Sequence, residues 1–495
     1  MFDLKLIPQH GSFSFNRQLP IFNWYYPFDL HPAYELNPVL PFLELERHPT
    51  RRCAVYLHVP FCDTICSFCP FTRGKYDREQ DIQNYVEALI GEIEIKRTLV
   101  GRIAVDAIFV GGGTPSVLTP AQIELLGDAI DTNLDTRNLV EFTFELEVKS
   151  VTREKLEAMR RIGANRTSFG AQTFSAQHRE LFSLDATLGQ IHETAHMANE
   201  MFNYTNIDMI YGMAGQSPED LNHDINEALS LKTTTIDFYP LNNLAAQVRM
   251  HRNVHDSGLQ HLPASQRIQY RRIIDQRLRE RDYCAINGYS YAKTNGSSRA
   301  LIQPQPKFQY HDIIYGYHDD AMVGYGSSAW TQVPGYNVYN HPDRAEYISR
   351  VNAGTLPWEA RGAGDCPEKG VVTFPYRGVL EKSRIPWDRV PSQTLAALEE
   401  VVQAGLIIDA NENYEITDQG WLFYVNLMYY LMPTKGKRWI SDKITSQIAT
   451  GRECEETNLE EGISANVQHS GIRPQAAGPA YPAPRPQTPL DLHND

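Results

Sequence analysis

The stretch CDTICSFC, residues 62–69, spaces Cys62, Cys66 and Cys69 as C-x3-C-x2-C. It follows closely on CAVYLHV (53–59), a short run of apolar, β-branched and aromatic residues that reads as a buried strand. A loop at the C-terminal end of such a strand is where parallel-sheet folds place their chemistry. A structural zinc site would want a fourth Cys or His nearby, normally as a second close pair. His58 lies inside the strand, and no second pair exists. Three thiolates leave one metal position without a protein ligand. An iron–sulfur cube accounts for this, with Cys62, Cys66 and Cys69 on three irons and the fourth iron open to a substrate or cofactor.

Outward from this loop the chain alternates. Helical spacing of Ile82, Tyr85, Val86, Leu89, Ile90 and Ile93 predicts a helix over 81–97. Further strands are expected at 105–112, 139–147, 166–172, 205–213 and 234–241, with helices at 120–134, 152–163, 187–201 and 217–231. Pro120 behind Thr119 reads as a first-turn proline with its N-cap, and Gly163 as a helix stop. Six strands separated by helices argue for a parallel sheet in an α/β fold, either doubly wound or a barrel, complete or partial. A long helix follows at 264–283. Residues 392–432 read helix, Gly405 stop, two short strands around 411–413, then helix, the outline of a winged-helix-like unit. Expected domains are an N-terminal extension (1–50), a barrel (51–285), a mostly helical capping domain (286–435) and an acidic, Pro-rich disordered tail (436–495).

The bulk numbers exclude several classes. With 495 residues and 42% hydrophobic content, the chain has room for one large core and a smaller one. The net charge is −14 and no Lys/Arg cluster stands out, which argues against nucleic acid or an anionic membrane surface as partner. Seven cysteines, three of them within eight residues, are no disulfide framework and point to a reducing compartment. Without a signal-peptide pattern or a run long enough to span a bilayer, the expected location is cytoplasmic. Cys53 reads as core; Cys284, Cys366 and Cys454 are isolated thiols.

The cysteine array after a strand resembles the signature of the radical S-adenosylmethionine (SAM) superfamily. YLHVPFC (56–62) is similar to the lead-in of the oxygen-independent coproporphyrinogen III dehydrogenase family. VGGGTPSVL (110–118) resembles that family's G-G-G-T-P segment, and FTFELEV (142–148) its glutamate-bearing strand, with Val148 where the family has Pro. NRTSFGAQTF (165–174) and NIDMIYGMAGQ (206–216) match two further motifs, with Ala214 replacing a Pro. Singly, each residue has an ordinary reading as a turn glycine or a strand-end polar group; together they occur in the family's order.

The resemblance covers roughly residues 50–435 and implies a partial (β/α)6 barrel with a winged-helix-like cap. It implies a [4Fe–4S] cluster on Cys62, Cys66 and Cys69, and SAM held by Tyr56, Gly112, Gly113, Thr114, Glu145, Gln172, Asp208 and Tyr211. Tyr56 and Gln172 take the catalytic positions, between two SAM molecules. A small-molecule substrate, an electron donor such as flavodoxin or ferredoxin, and a second methyltransferase-type protein are the implied partners.

Two departures bear on the reaction. The dehydrogenase carries a fourth cysteine after the third, where this chain has Phe71, and an arginine where it has Leu184. A propionate pocket wants Arg or Lys forks. Residues 288–340 offer Lys293, Arg299 and Lys307 beside many aromatics, which suit a flat or conjugated substrate. The expected reaction is therefore methyl or methylene transfer to an sp2 carbon, giving methylation or cyclopropanation, as in the class C radical methyltransferases. Decarboxylation of a porphyrinogen is the alternative. A haem chaperone is the other, since HDIIYG (311–316) partly matches that group's haem motif at His311 and Tyr315 but has Gly316 in place of Trp.

Overall fold

The computed structural model describes residues 26–27, 52–69, 73–76, 78–241, 247–294 and 308–437. The arm before Tyr26, Phe71, Arg299, Lys307 and the tail beyond 437 lie outside the described residues.

The alternation read from the sequence is present. It runs β1 (Cys53–Val59), α1 (Glu79–Val100), β2 (Ala107–Gly112), α2 (Pro120–Asn133), β3 (Glu141–Leu146), α3 (Arg153–Arg161) and β4 (Arg166–Gln172). It continues with α4 (Leu188–Met201), β5 (Tyr204–Tyr211), α5 (Pro218–Ser230) and β6 (Thr235–Pro240). Thr119, Thr187 and Ser217 cap α2, α4 and α5, each in a reciprocal pair with the polar residue three positions on.

Strands β1 to β6 pair in parallel and in chain order, each beside the next. A doubly wound sheet reverses its order once; this sheet does not, which leaves the barrel. It stays open. After α6 (Val248–Asp256) and α7 (Ala264–Arg279) come β7 (Tyr283–Ala285) and β8 (Ser290–Lys293); β8 adds antiparallel to β6, and β7 antiparallel to β8. On the other edge β9 (Ala321–Tyr325) adds parallel to β1, followed by β10 (Trp330–Val333), β11 (Gly335–Asn340) and, after α9 (Arg344–Asn352), β12 (Trp358–Gly364). Residues 290–293 and 321–364, assigned to a cap by the sequence, thus extend the barrel's own sheet.

Successive residues of each inner strand point to opposite faces of the sheet. Val55, Leu57, Val110, Phe144, Met209 and Phe238 belong to the large core under the helices. The opposite face of the same strands carries Tyr56, Phe109, Glu145, Arg166, Asp208 and Asp237. Inside this curve lies α8 (Gln309–Ile314), whose Tyr310 and Ile313 pack with Ala54, Ala107, Phe109 and Met322. Its N-terminus is capped from β3: Glu141 accepts from the backbone N–H of Gln309 at 2.8 Å and of Tyr310 at 3.3 Å.

A second core joins α10 (Lys369–Arg377), α11 (Ser392–Gln403) and α12 (Tyr424–Leu431) with a small sheet of β13 (Val379–Glu381), β14 (Ile407–Asp409) and β15 (Asn413–Ile416). This is the winged-helix-like outline expected. Among the described residues no helix is long and apolar enough to cross a membrane.

Candidate active site

The cysteine loop leaves β1 and is tied down by backbone bonds. Cys62 N–H donates to Gly74 O at 3.1 Å, Gly74 N–H to Pro60 O at 2.9 Å, and Ser67 N–H to Phe182 O at 3.1 Å. Cys62 is buried, and Cys66 and Cys69 are half-buried. The thiols lie close enough to raise one another. Burial and the charges of Cys69 and Cys62 push Cys66 up to about 12; burial likewise raises Cys62, opposed by the Thr114 hydroxyl. Three thiolates crowded in this way need positive charge between them, which a metal cluster supplies. Among the described residues no three Cys, His, Asp or Glu side chains converge on a single-ion site.

The glycines after β2 press on this loop. Thr114 Oγ1 donates to Cys62 Sγ at 3.4 Å, and Gly113 N–H donates to Val59 O at 2.8 Å. A Cβ on Gly113 would stand 2.7 Å from Phe61 O and 3.0 Å from Cys62 Sγ. Gly112 has φ of +117°, a left-handed conformation that glycine adopts without strain, and its N–H donates to Glu145 Oε2 at 3.2 Å. Burial pushes the Glu145 carboxyl up to about 7.

Further round the wall, Gln172 ends β4 at a bulge with φ of +66°. A non-glycine residue held there costs on the order of 1–3 kcal/mol, a strain that gathers at ligand sites. The Tyr56 hydroxyl and His58 Nδ1 are 2.8 Å apart on β1. Asp208 accepts from Asn206 Nδ2 at 2.7 Å and from Ser168 Oγ at 3.3 Å. It pairs in register with Asp237 on β6. Burial raises both carboxyls, and their mutual repulsion adds to it for Asp208. The pair does not ionise fully at once.

Cys62, Cys66, Cys69, Tyr56, Gly112, Gly113, Thr114, Glu145, Gln172 and Asp208 therefore gather at the loop and along the inner face. Tyr211 does not join them. It is fully buried in the core on the helix side, because it follows Asp208 by an odd number of residues along β5. Several inner-wall groups escaped the sequence reading: Arg166, Asp237 and Tyr239. A signal existed for Asp237, a carboxylate inside the apolar run TTIDFYPL (234–241).

The radical SAM superfamily model matches residues 56–228. The heme chaperone HemW of Lactococcus lactis is 30% identical over 389 residues, 74% of this chain and 94% of that protein. The chain belongs to the radical SAM superfamily, in the branch of HemW and the oxygen-independent coproporphyrinogen III oxidases. The oxidase of Escherichia coli K12 is 24% identical over 81% of this chain and 90% of its own. The solved structure of the E. coli oxidase HemN covers 87% of this chain and 98% of its own, with TM-score 0.70 and 22% identity, which shows the shared fold. Anaerobilin synthase of E. coli O157:H7 is 25% identical over 77% of this chain and 84% of its own.

Radical SAM membership makes a [4Fe–4S] cluster and SAM the cofactors of this chain. When bound, they supply reductive cleavage of SAM to a 5′-deoxyadenosyl radical. The three crowded thiols, and the Gly113 position that no side chain fits, suit the cluster. Methyl or methylene transfer, the reaction expected from the sequence, finds no support among these relatives.

Proposed function

We propose that this radical SAM protein acts on a flat tetrapyrrole-class substrate, with oxidative decarboxylation of a porphyrinogen propionate as the reaction: the 5′-deoxyadenosyl radical takes a hydrogen atom from the propionate, carbon dioxide leaves as the vinyl group forms, and the remaining electron passes to a one-electron acceptor. What carries the reading is the near end-to-end correspondence with proteins whose names specify coproporphyrinogen, heme and a bilin. The inner wall is compatible with it. Tyr56, Phe109 and Tyr310 form an aromatic layer, with Phe109 and Tyr310 stacked at 4.7 Å, and such a layer receives a planar ring system. Gln172 and Tyr56 orient the cofactor end of the pocket. The α8 helix and the second core close the inner face against water, so that a carbon radical meets its intended hydrogen.

Phe71 and Leu184 still stand where the dehydrogenase has Cys and Arg. The reconstituted protein, given coproporphyrinogen III and methyl-deuterated SAM under reduction, is expected to release carbon dioxide and form 5′-deoxyadenosine free of methyl-derived deuterium. Deuterium in the nucleoside, with no loss of carbon dioxide, would return the reaction to methyl transfer.

A haem-carrying role is the second reading, favoured by the 30% identity to HemW. Haem binding without any substrate-dependent consumption of SAM would select it.

A further inference from the structure

Arg166 opens β4 on the face of the sheet that looks into the barrel. The residue is only 3% exposed, yet among the described residues no oxygen accepts a hydrogen bond from its guanidinium and no carboxylate lies within ion-pair distance. Nη1 is sealed without a partner, while the equally unbonded Nε and Nη2 are not sealed. One flat side of the group is covered: its carbon stands 4.0 Å from the centre of the Phe308 ring. A buried charge with no bonded partner is costly, and the cost is met when a ligand supplies the partner.

The carboxylates nearby do not fill that place. The Arg166 charge acts on Glu141 and Glu145 of β3, Asp208 of β5 and Asp237 of β6, which sets the guanidinium among the inner-wall groups of three other strand positions. Each of these acids is bonded elsewhere. Glu141 accepts from the N-terminus of α8, Glu145 from Gly112, Asp208 from Asn206, and Asp237 from the Tyr239 hydroxyl at 3.1 Å. Burial raises all four carboxyls, which lessens the negative charge that an entering anion meets. The guanidinium is thus held in place by its strand and by Phe308, with its donors unspent. Such a flat fork of N–H groups matches a carboxylate in two-pronged fashion.

We propose that Arg166 anchors a carboxylate of the substrate through this fork and is a specificity-determining residue of the reaction. The proposal rests on the tetrapyrrole-class reading, and it gives the propionate pocket the arginine that Leu184 does not. Its place on the strand also says which propionate it holds. Gln172 ends β4 at the cysteine-loop end of the barrel, six residues on, and at about 3.3 Å per residue the two backbone positions lie about 20 Å apart. The carboxylate on Arg166 is therefore not the one that reacts beside the cluster; it orients the macrocycle from the far end.

The test uses the anaerobically reconstituted full chain as wild type, Arg166→Lys and Arg166→Gln. Coproporphyrin III and its tetramethyl ester, which has the same ring without the carboxylates, are titrated by fluorescence. Wild type should bind the free acid about tenfold more tightly than the ester, and Arg166→Gln should lose that preference while binding the ester as wild type does. Arg166→Lys keeps the charge among the four acids but not the fork. It should keep the wild-type melting temperature and still lose most of the preference. Iron content and SAM affinity should be the same in all three. A preference that survives Arg166→Gln, a full rescue by Arg166→Lys, or an equal loss of acid and ester overturns the proposal. So does a loss of SAM affinity, which would assign the fork to the cofactor's own carboxylate. If wild type binds neither porphyrin, the tetrapyrrole reading falls, and the site is judged by sodium propionate against propionamide at matched ionic strength. Propionate that raises the melting temperature of wild type and not of Arg166→Gln upholds the carboxylate site; no difference overturns it as well.

Discussion

Glu145 on β3 accepts a hydrogen bond from the backbone of Gly112 at 3.2 Å, so the glycine turn and the inner-face carboxylate form one unit. A Cβ on Gly111 would reach 2.7 Å from the same carboxylate. Bare backbone and buried charge are thus placed together where the resemblance puts SAM.

The first prediction concerns that carboxyl. Burial raises it from 4.5 to about 7 in the folded protein. Below 4.5 both folded and unfolded chains are protonated, and the group contributes nothing to the pH dependence. Between these values the unfolded chain ionises and the folded one does not, so stability falls as pH rises and then levels above about 7. Cofactor-free Glu145→Gln should show a flatter melting temperature over this window, and bind SAM about tenfold more weakly. Parallel pH curves for variant and wild type would contradict it.

Gly113→Ala tests the cluster cradle. Its new methyl would meet the Phe61 backbone, which is not a flexible tip that can move aside. Overpacking of this kind costs about 1–3 kcal/mol. Iron retained after gel filtration should drop while the circular dichroism stays that of wild type.

A third prediction lies away from the site. Glu92 and Lys96 on α1 form a fully buried pair at 2.7 Å. Lys96 Nζ also donates to Gly324 O at 2.6 Å, and Glu92 accepts from Gly326 N–H at 2.8 Å and Tyr347 Oη at 2.7 Å. Lys96→Met strands the carboxylate and should cost about 3–5 kcal/mol in chemical denaturation. Iron content at low denaturant should not change.

That pair shows where sequence reading stops. The apolar stripe of α1 was legible from Ile82 to Ile93, because a 3.6-residue period repeats within one segment. Nothing within the helix marks Glu92 and Lys96 as buried, since the backbone groups they bond in β9 and the loop beyond it lie more than 220 residues away. The same limit applies at the site. Cysteines and glycines crowded into short motifs were readable, and so was the order of the six strands' segments. Tyr211 was carried over by motif, yet strand parity turns it to the outer core. Strands β9 to β12 carried no periodicity that tied them to the barrel, because the pairing of β9 to β1, and of each later strand to the one before it, is set by contact and not by local pattern.

The most direct measurement is reduction of the anaerobically reconstituted protein with SAM, scoring iron, sulfide and 5′-deoxyadenosine for wild type and Cys66→Ala. Wild type should hold about four irons and four sulfides per chain and release the nucleoside, and Cys66→Ala should do neither. A wild-type protein that binds zinc in place of iron, or that carries the cluster and leaves SAM intact, would contradict the assignment of this chain as a radical SAM enzyme.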